Sequence, residues 1–168
     1  MVASVESNDF LVSLGIIQHL DDAVTCWQYL VNDQAGHDSR ISADSLTIAD
    51  QRLFLRNVIL DGRLIVVSDS LGELIGIATI SIDSNMLDNS STVWNISDVW
   101  VRPNYRRMGI ATMLVSKCEQ IAQSRGATEI RLQVYTSNQA ASMMYGRLGY
   151  STVVRTMRRK LNESNGEV

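Results

Sequence analysis

The strand-to-helix junction around Gly109 constrains the fold of this chain more than any other feature. The stretch TVWNISDVWVR (92–102) predicts a long strand, and Pro103 ends it because proline has no amide hydrogen for a central ladder position. Apolar residues at helical spacing begin at Gly109, and Gly126 fits the left-handed position beyond the helix end. The sequence therefore predicts a tight turn, containing two arginines, between a strand and a helix N-terminus.

The rest of the chain alternates between strand and helix patterns. Strands are predicted at residues 10–18, 63–69, 73–83, 92–102, 129–135 and 150–161, and helices at residues 21–32, 45–60, 109–124 and 139–148. We expect a single α/β (α+β) domain over residues 1–161, with a mixed, mostly antiparallel twisted sheet flanked by helices, in the order β-α-α-β-β-β-α-β-α-β. Residues 162–168, NESNGEV, predict a disordered tail.

Composition limits the classes of partner. The chain has 168 residues, 45% of them hydrophobic, which is enough for one core, and its formal charge of −3 gives no general attraction to nucleic acid or anionic lipid. The N-terminus has no signal-peptide pattern, and no apolar window approaches the roughly 18 residues of a membrane span. Cys26 and Cys118 lie apart in apolar helical patterns, which predicts reduced core thiols. We expect a cytoplasmic protein without nucleic-acid or membrane partners.

The turn before the third helix has the properties of an anion site. Amides in a first helical turn lack intrahelical partners, and the helix dipole is positive there. Gly109 permits close backbone approach, Ala111 is small, and Arg106 and Arg107 add positive charge. The glycine spacing fits neither a nucleoside triphosphate loop nor a dinucleotide turn. A diphosphate bound mainly by backbone is the remaining interpretation.

Two motifs resemble the GNAT superfamily of acyl-coenzyme A dependent N-acyltransferases. The residues from Arg106 to Ala111, RRMGIA, match the family pattern of Arg or Gln, two variable residues, Gly, one variable residue, then Gly or Ala. The stretch NQAASMMYGRLGY (138–150) resembles a second signature, in which Asn138 and Tyr145 stand seven residues apart before a Gly-aromatic pair. The likeness is close from about Ser97 to Tyr150 and looser before that region.

The resemblance implies a binding site for acetyl-CoA, with no metal. Amides of the turn would hold the CoA diphosphate, and the main chain of the fourth strand would pair with the pantetheine arm, which adds to a strand edge as a peptide does. Family members open a cleft beside a bulge in that strand, and we carry this over by analogy. The implied cofactor-binding residues are Val99, Trp100, Val101, Arg106, Arg107, Met108, Gly109, Ile110, Ala111 and Asn138.

The resemblance also implies direct transfer to a primary amine. A lysine-like amine has a pKa of about 10.4 and must lose a proton before it attacks. Asp98 stands where the family often has an acidic residue, and it would accept that proton, directly or through water, or only orient the ammonium group. Its ordinary pKa of about 3.9 would have to be raised by burial. Tyr145 would protonate the leaving thiolate.

Each assignment has a structural alternative. Asn138 is also a good N-cap, Tyr145 could be a core aromatic, and Asp98 could be a satisfied polar group of a strand. At the level of the whole domain, the alternative to an enzyme is an acyl-CoA-binding sensor or interaction module that performs no chemistry. The acceptor stays open between a protein lysine or N-terminus, a polyamine and an aminoglycoside-like compound.

The short segment after Tyr150 bears on assembly. Family members commonly close the sheet with two further strands after the Gly-aromatic pair, and here there is room for one. A sheet that ends early exposes an edge, so we expect a homodimer formed through that edge. Alternatively, repulsion between the cationic side chains of two copies could prevent this pairing and keep the protein monomeric; these side chains are Arg158, Arg159 and Lys160.

Overall fold

Five strands form one sheet in sequence order in the computed structural model, which describes residues 10–42, 45–83 and 92–159. The strands are β1 (Phe10–Leu14), β2 (Leu64–Asp69), β3 (Leu74–Ile82), β4 (Val93–Val101) and β5 (Glu129–Leu132). The helices are α1 (Leu20–Ala35), α2 (Ile48–Leu60), α3 (Ile110–Ser124) and α4 (Gln139–Arg147). Strands β1 to β4 pair antiparallel and β5 pairs parallel to β4, which confirms the mixed, mostly antiparallel sheet.

The sheet is covered on both faces, which explains why β2 and β3 are continuous apolar runs rather than alternating ones. One buried cluster joins the sheet to α3 and to Tyr145 of α4, and it includes Ile110, Leu114 and Val115. The other cluster joins the opposite face to α1 and α2, and it contains Trp100. The side chains of β4 therefore point alternately toward α3 and toward α1.

A bulge interrupts the pairing of β3 with β4. Ile77 is opposite Trp100 and Thr79 is opposite Ser97, so two residues of β4, Asp98 and Val99, occupy the space of one. Asp98 has a φ of +53°, a left-handed conformation that aspartate tolerates better than most residues. The bulge that family resemblance suggested by analogy is present at this point.

The ladder between β4 and β5 is short. It joins Val93–Ile96 to residues 129–132 and ends there, whereas β4 continues to Val101 in partnership with β3 alone. Within the described part of the chain, the second half of β4 therefore has an unpaired edge. On that side β5 ends at Leu132 and the chain runs on to α4; we call the region beside the unpaired half of β4 the gap.

Most elements match the sequence-based expectations, with shifts at their ends. The first strand stops at Leu14, where a short 3-10 turn (Ile17–His19) intervenes. The second helix begins at Ile48 because Thr47, rather than Asp44 or Ser45, caps it: Thr47 Oγ1 accepts a hydrogen bond from the Asp50 amide. The fifth strand ends at Leu132 rather than at residue 135.

The predicted last strand is wrong over the residues that the structure describes. Residues 151–159 contain no strand, and Val153, Val154 and Met157 are 75%, 79% and 90% exposed. These side chains bury too little surface to offset the entropy of ordering a strand, and β5 offers only four residues to pair with. The proposed tail, residues 162–168, lies outside the described residues.

Candidate active site

The turn between β4 and α3 leaves the first amides of α3 without a protein cap. Gly109 occupies the N-cap position with a φ of +84°, and no side chain accepts a hydrogen bond from the helix start. A Cβ at Gly109 would meet no atom within 4 Å, so the space in front of the helix is open. The site therefore presents amide donors and a positive helix end to an anion.

The two arginines of the turn are not equivalent. Arg106 Nε donates to the carbonyl oxygen of Val101 over 2.9 Å, and its Nη2 donates to Asp33 over 2.7 Å. Arg107 is exposed and has a φ of +67°. Both arginines were expected to add positive charge at the turn, and the structure pairs Arg106 with a carboxylate from α1.

The open edge of β4 presents backbone groups to the gap beside β5. The Arg102 amide donates to the Ile75 carbonyl oxygen on β3, so alternation turns the peptide groups of Val101 away from β3. The carbonyl of Val101 is already bonded to Arg106. Val99 lies two residues earlier, in the bulge, on the half of β4 that does not pair with β5.

Trp100 points the other way, toward α1. Its indole is 5% exposed, stacks on Tyr29 with ring centroids 5.8 Å apart, and donates from Nε1 to Asp33 over 3.0 Å. The Trp100 side chain thus packs between β4 and α1. Its main chain is paired with Ile77 of β3, so neither part of Trp100 lies on the strand edge that was predicted to bind a cofactor.

Asp98 lies in the bulge with its carboxylate against α1. The hydroxyl of Thr79 donates to Asp98 Oδ2 over 2.6 Å, and the indole of Trp27 is a second hydrogen-bond partner. Burial raises the pKa of Asp98 above its ordinary value, and these two hydrogen bonds oppose part of the increase. The direction of this shift is the one expected for a base. The structure also contains the hydrogen bonds expected of the structural alternative.

Tyr145 lies on the opposite face of the sheet, in the cluster shared by α3 and α4. It is 8% exposed and packs edge-on against Tyr150 with ring centroids 5.8 Å apart. Tyr150 is itself fixed by a 2.8 Å hydrogen bond to Glu119. Burial raises the pKa of Tyr145 to about 12, so the phenol stays protonated at neutral pH. Asp98 and Tyr145 thus lie on opposite sides of β4.

Asn138 serves as a helix cap. Its Oδ1 accepts a hydrogen bond from the Ala141 amide over 3.1 Å at the start of α4, as its structural alternative predicted. Of the remaining candidates, Met108 is exposed at the turn and Ile110 is buried under it, with Ala111 partly buried beside them. The amides of Ile110 and Ala111 belong to the first turn of α3, which no side chain caps.

Sequence reasoning missed three partners of these residues. Thr79 and Trp27 hold Asp98, and Asp33 holds the turn through Arg106. Each comes from a distant element, so no local spacing in the sequence signals the contact. Only the acidic character of Asp33 in the last turn of α1 is unusual, because a carboxylate there opposes the helix dipole.

Both cysteines are buried and free, as predicted, and burial raises the pKa of each thiol to about 12. Over residues 10–42, 45–83 and 92–159 the structure has no group of three or more His, Cys, Asp or Glu that could hold a metal ion. In the same ranges no helix is long and apolar enough to cross a membrane.

Comparisons with known proteins agree with this geometry. A bovine (Bos taurus) thialysine N-epsilon-acetyltransferase is 33% identical over 54 residues, which make up 32% of this chain and 32% of that protein. An acetyltransferase of Trypanosoma brucei has a similar fold, with a TM-score of 0.68, 20% identity, and coverage of 91% of this chain and 100% of that one. The aminoglycoside N-acetyltransferase AAC(6')-Iy, solved in complex with CoA, gives a TM-score of 0.73 at 16% identity, covering 95% and 99% of the two chains.

The model of the acetyltransferase (GNAT) family matches residues 23–150, which is more than half of the chain and includes the turn, the bulge and both signature motifs. This chain belongs to the GNAT family of acetyltransferases.

Proposed function

We propose that this chain transfers an acetyl group from acetyl-CoA to a primary amine, by direct attack of the amine in a ternary complex. One observation carries the proposal. A carboxyl group with a raised pKa, Asp98, lies in the bulge of β4, and a protonated phenol, Tyr145, lies in the buried cluster on the opposite face of the sheet. Asp98 would be the base on the side of the acceptor, and Tyr145 would be the acid on the side of the leaving group.

Acetyl-CoA would bind along the turn and the open strand edge. The CoA diphosphate would accept hydrogen bonds from amides between Arg106 and Ala111, in the open space before α3. The pantetheine arm would add to β4 near Val99, in the half of the strand that does not pair with β5. Arg107, which is exposed, is the side chain available for further charge contacts with the phosphates.

The chemical step would need no covalent enzyme intermediate. Asp98 would accept a proton from the ammonium group, directly or through water, and the amine lone pair would then attack the thioester carbonyl carbon. The carbon–sulfur bond would break, and the departing thiolate would take the proton of the Tyr145 hydroxyl. The nitrogen of the new amide would lose its remaining extra proton, which would restore the Tyr145 phenol, and Asp98 would release its proton to water. The products would be an amide and free CoA.

The acceptor is proposed only as a class. The names of the similar proteins include a thialysine acetyltransferase and an aminoglycoside acetyltransferase, and both kinds of acceptor are cationic amines. The formal charge of −3 suits cationic substrates better than anionic ones. A protein lysine or N-terminus, a polyamine and an aminoglycoside-like compound are therefore the acceptors to test. The two buried free thiols support a reducing, cytoplasmic location.

The function is tested by mixing the protein with acetyl-CoA and a panel of amines and measuring free thiol. Release that depends on both the protein and one class of amine would support the enzyme. Tight CoA binding without release on any amine would instead support the sensor or interaction module, whereas absence of CoA binding would contradict both.

A further inference from the structure

The carboxylate of Asp33 joins three elements around the turn. It accepts a hydrogen bond from Trp100 Nε1 over 3.0 Å and one from Arg106 Nη2 over 2.7 Å. Arg106 also donates from Nε to the carbonyl of Val101 over 2.9 Å. We call Asp33, Trp100 and Arg106 the Asp33 strap. It connects the end of α1, the end of β4 and the turn that precedes α3.

The helix dipole of α1 disfavours a carboxylate at position 33. Asp33 lies in the last turn of α1, where the helix dipole is negative and no basic residue is present. An acidic residue at such a position is unfavourable in the isolated helix. Its two donors from other elements offset that cost, so the residue acts through long-range contacts rather than through the helix.

The turn that the strap holds is strained. Arg107 and Gly109 have φ values of +67° and +84°, and the first is uncommon for a residue with a side chain. Arg106 immediately precedes this pair, and its guanidinium is fixed at both ends. The strap therefore limits the turn to the conformation in which the amides at the start of α3 point into open space.

We propose that Asp33 is a positioning residue for the diphosphate of the acyl donor, acting through Arg106. This inference rests on the proposed binding of CoA at the turn. Asp33 touches no reacting atom, and its effect is to keep the amides convergent before the ligand arrives, which lowers the ordering cost of binding. Losing the strap reduces affinity for the donor and leaves the chemical step unchanged.

The test compares Asp33→Asn with Asp21→Asn. Asp21 is also an acidic residue of α1 in an ion pair, with Arg52, but it lies in the first turn, far from the site. Both substitutions remove one negative charge from the same helix. CoA affinity is measured by calorimetry, and KM for acetyl-CoA and kcat are measured with a reactive amine. We expect Asp33→Asn to weaken CoA binding and raise KM by about threefold to tenfold at unchanged kcat, and Asp21→Asn to match wild type.

A second variant approaches the strap from its other end. Arg106→Gln alone and the double variant with Asp33→Asn should weaken CoA binding by similar factors, because the two residues act as one unit. Two results would overturn the positioning role. One is wild-type CoA affinity in a folded Asp33→Asn protein; the other is a double variant whose loss of CoA affinity equals the product of the two single losses. If the wild-type protein does not bind CoA, the proposed function and the inference are both overturned. If wild type binds CoA and Asp33→Asn binds it equally well, only the inference is overturned.

Discussion

Thr79 on β3 donates a 2.6 Å hydrogen bond to the carboxylate of Asp98 across the bulge in β4. The hydroxyl stabilises the charged form of Asp98, whereas burial of the same carboxyl group favours the neutral form. The protonation state of the proposed base is therefore set by two opposing interactions that can be altered separately.

Removing this hydroxyl is expected to shift the pH dependence of the reaction. In Thr79→Val the charged form of Asp98 loses a donor, so the pKa of Asp98 rises further and the acidic limb of kcat/KM moves to higher pH. Asp98→Asn should lower turnover about 100-fold and remove that limb. The measurement is the pH–rate profile of each variant.

Thr79→Ser provides the matched control, because it retains the hydroxyl and should restore the wild-type limb. Identical profiles for Thr79→Val and wild type would show that the limb does not belong to Asp98. Near-normal turnover of a folded Asp98→Asn protein would show that Asp98 is not the base and has only a structural role in the bulge.

Asp98 also links pH to stability. Its folded-state pKa is raised, so its contribution to the free energy of unfolding is fully present below its unfolded pKa of about 3.9 and is lost as pH rises through the folded value. The free energy of unfolding of wild type relative to Asp98→Asn should therefore decrease as pH rises through this window. Denaturant titrations at several pH values measure it, and an increase with pH would contradict the raised pKa.

Tyr145→Phe is expected to lower kcat by about 100-fold while leaving CoA affinity nearly unchanged, because only the transition state uses the hydroxyl. The pKa of about 12 also means that wild-type activity should not fall between neutral pH and pH 10 through loss of this proton. Tyr29→Phe removes a hydroxyl from an exposed tyrosine outside the proposed catalytic pair and serves as the control. Equal losses of affinity and turnover in Tyr145→Phe would make the residue a packing element.

Gly109 and Gly126 form a matched pair at the two ends of α3. Their φ values are +84° and +86°, and a Cβ at either position meets no atom within 4 Å. Valine at each position should therefore cost similar stability, about 1–2 kcal/mol of backbone strain or somewhat more. Only Gly109→Val should also weaken CoA binding, since its side chain enters the space of the diphosphate. Equal CoA affinities in the two folded variants would contradict the assignment of the turn.

The dimer prediction rests on the open sheet edge. Residues 151–159 do not pair with β5, and Arg158 is engaged with Asp38 over 3.1 Å, so one of the cations expected to repel a second copy is balanced. We expect sedimentation to detect a homodimer at micromolar concentration. A single species near the chain mass of 18.7 kDa at all concentrations would mean that the edge does not pair with a second copy and the protein is a monomer.

Local patterns in the sequence predict most of the fold. Pro103, Gly109 and Gly126 mark the end of β4 and both ends of α3, because each signal depends on the conformation of a single residue. Local patterns could not show that the strand predicted at residues 150–161 fails to form over the described residues. The β-branched residues Val153 and Val154 favour a strand locally, but a strand also needs a partner and a surface to bury, and both are long-range properties.

The residues of the candidate site also differ in whether local sequence or long-range packing determines their role. The turn and Tyr145 stand in contiguous motifs, so the sequence alone identifies them. The bulge at Asp98 depends on the register between β3 and β4, and the roles of Thr79 and Asp33 depend on which elements pack together. Asn138 matches the second signature and also caps α4, so spacing alone cannot separate the two roles.

The central claim is that this chain acetylates an amine directly from acetyl-CoA. It is tested most directly by incubating the protein with acetyl-CoA and each amine class, and quantifying free CoA thiol and acetylated amine by mass spectrometry in the same sample. The account predicts equal amounts of the two products for at least one class of amine, with both reduced about 100-fold in Tyr145→Phe. CoA binding without either product, for every amine tested, would contradict it.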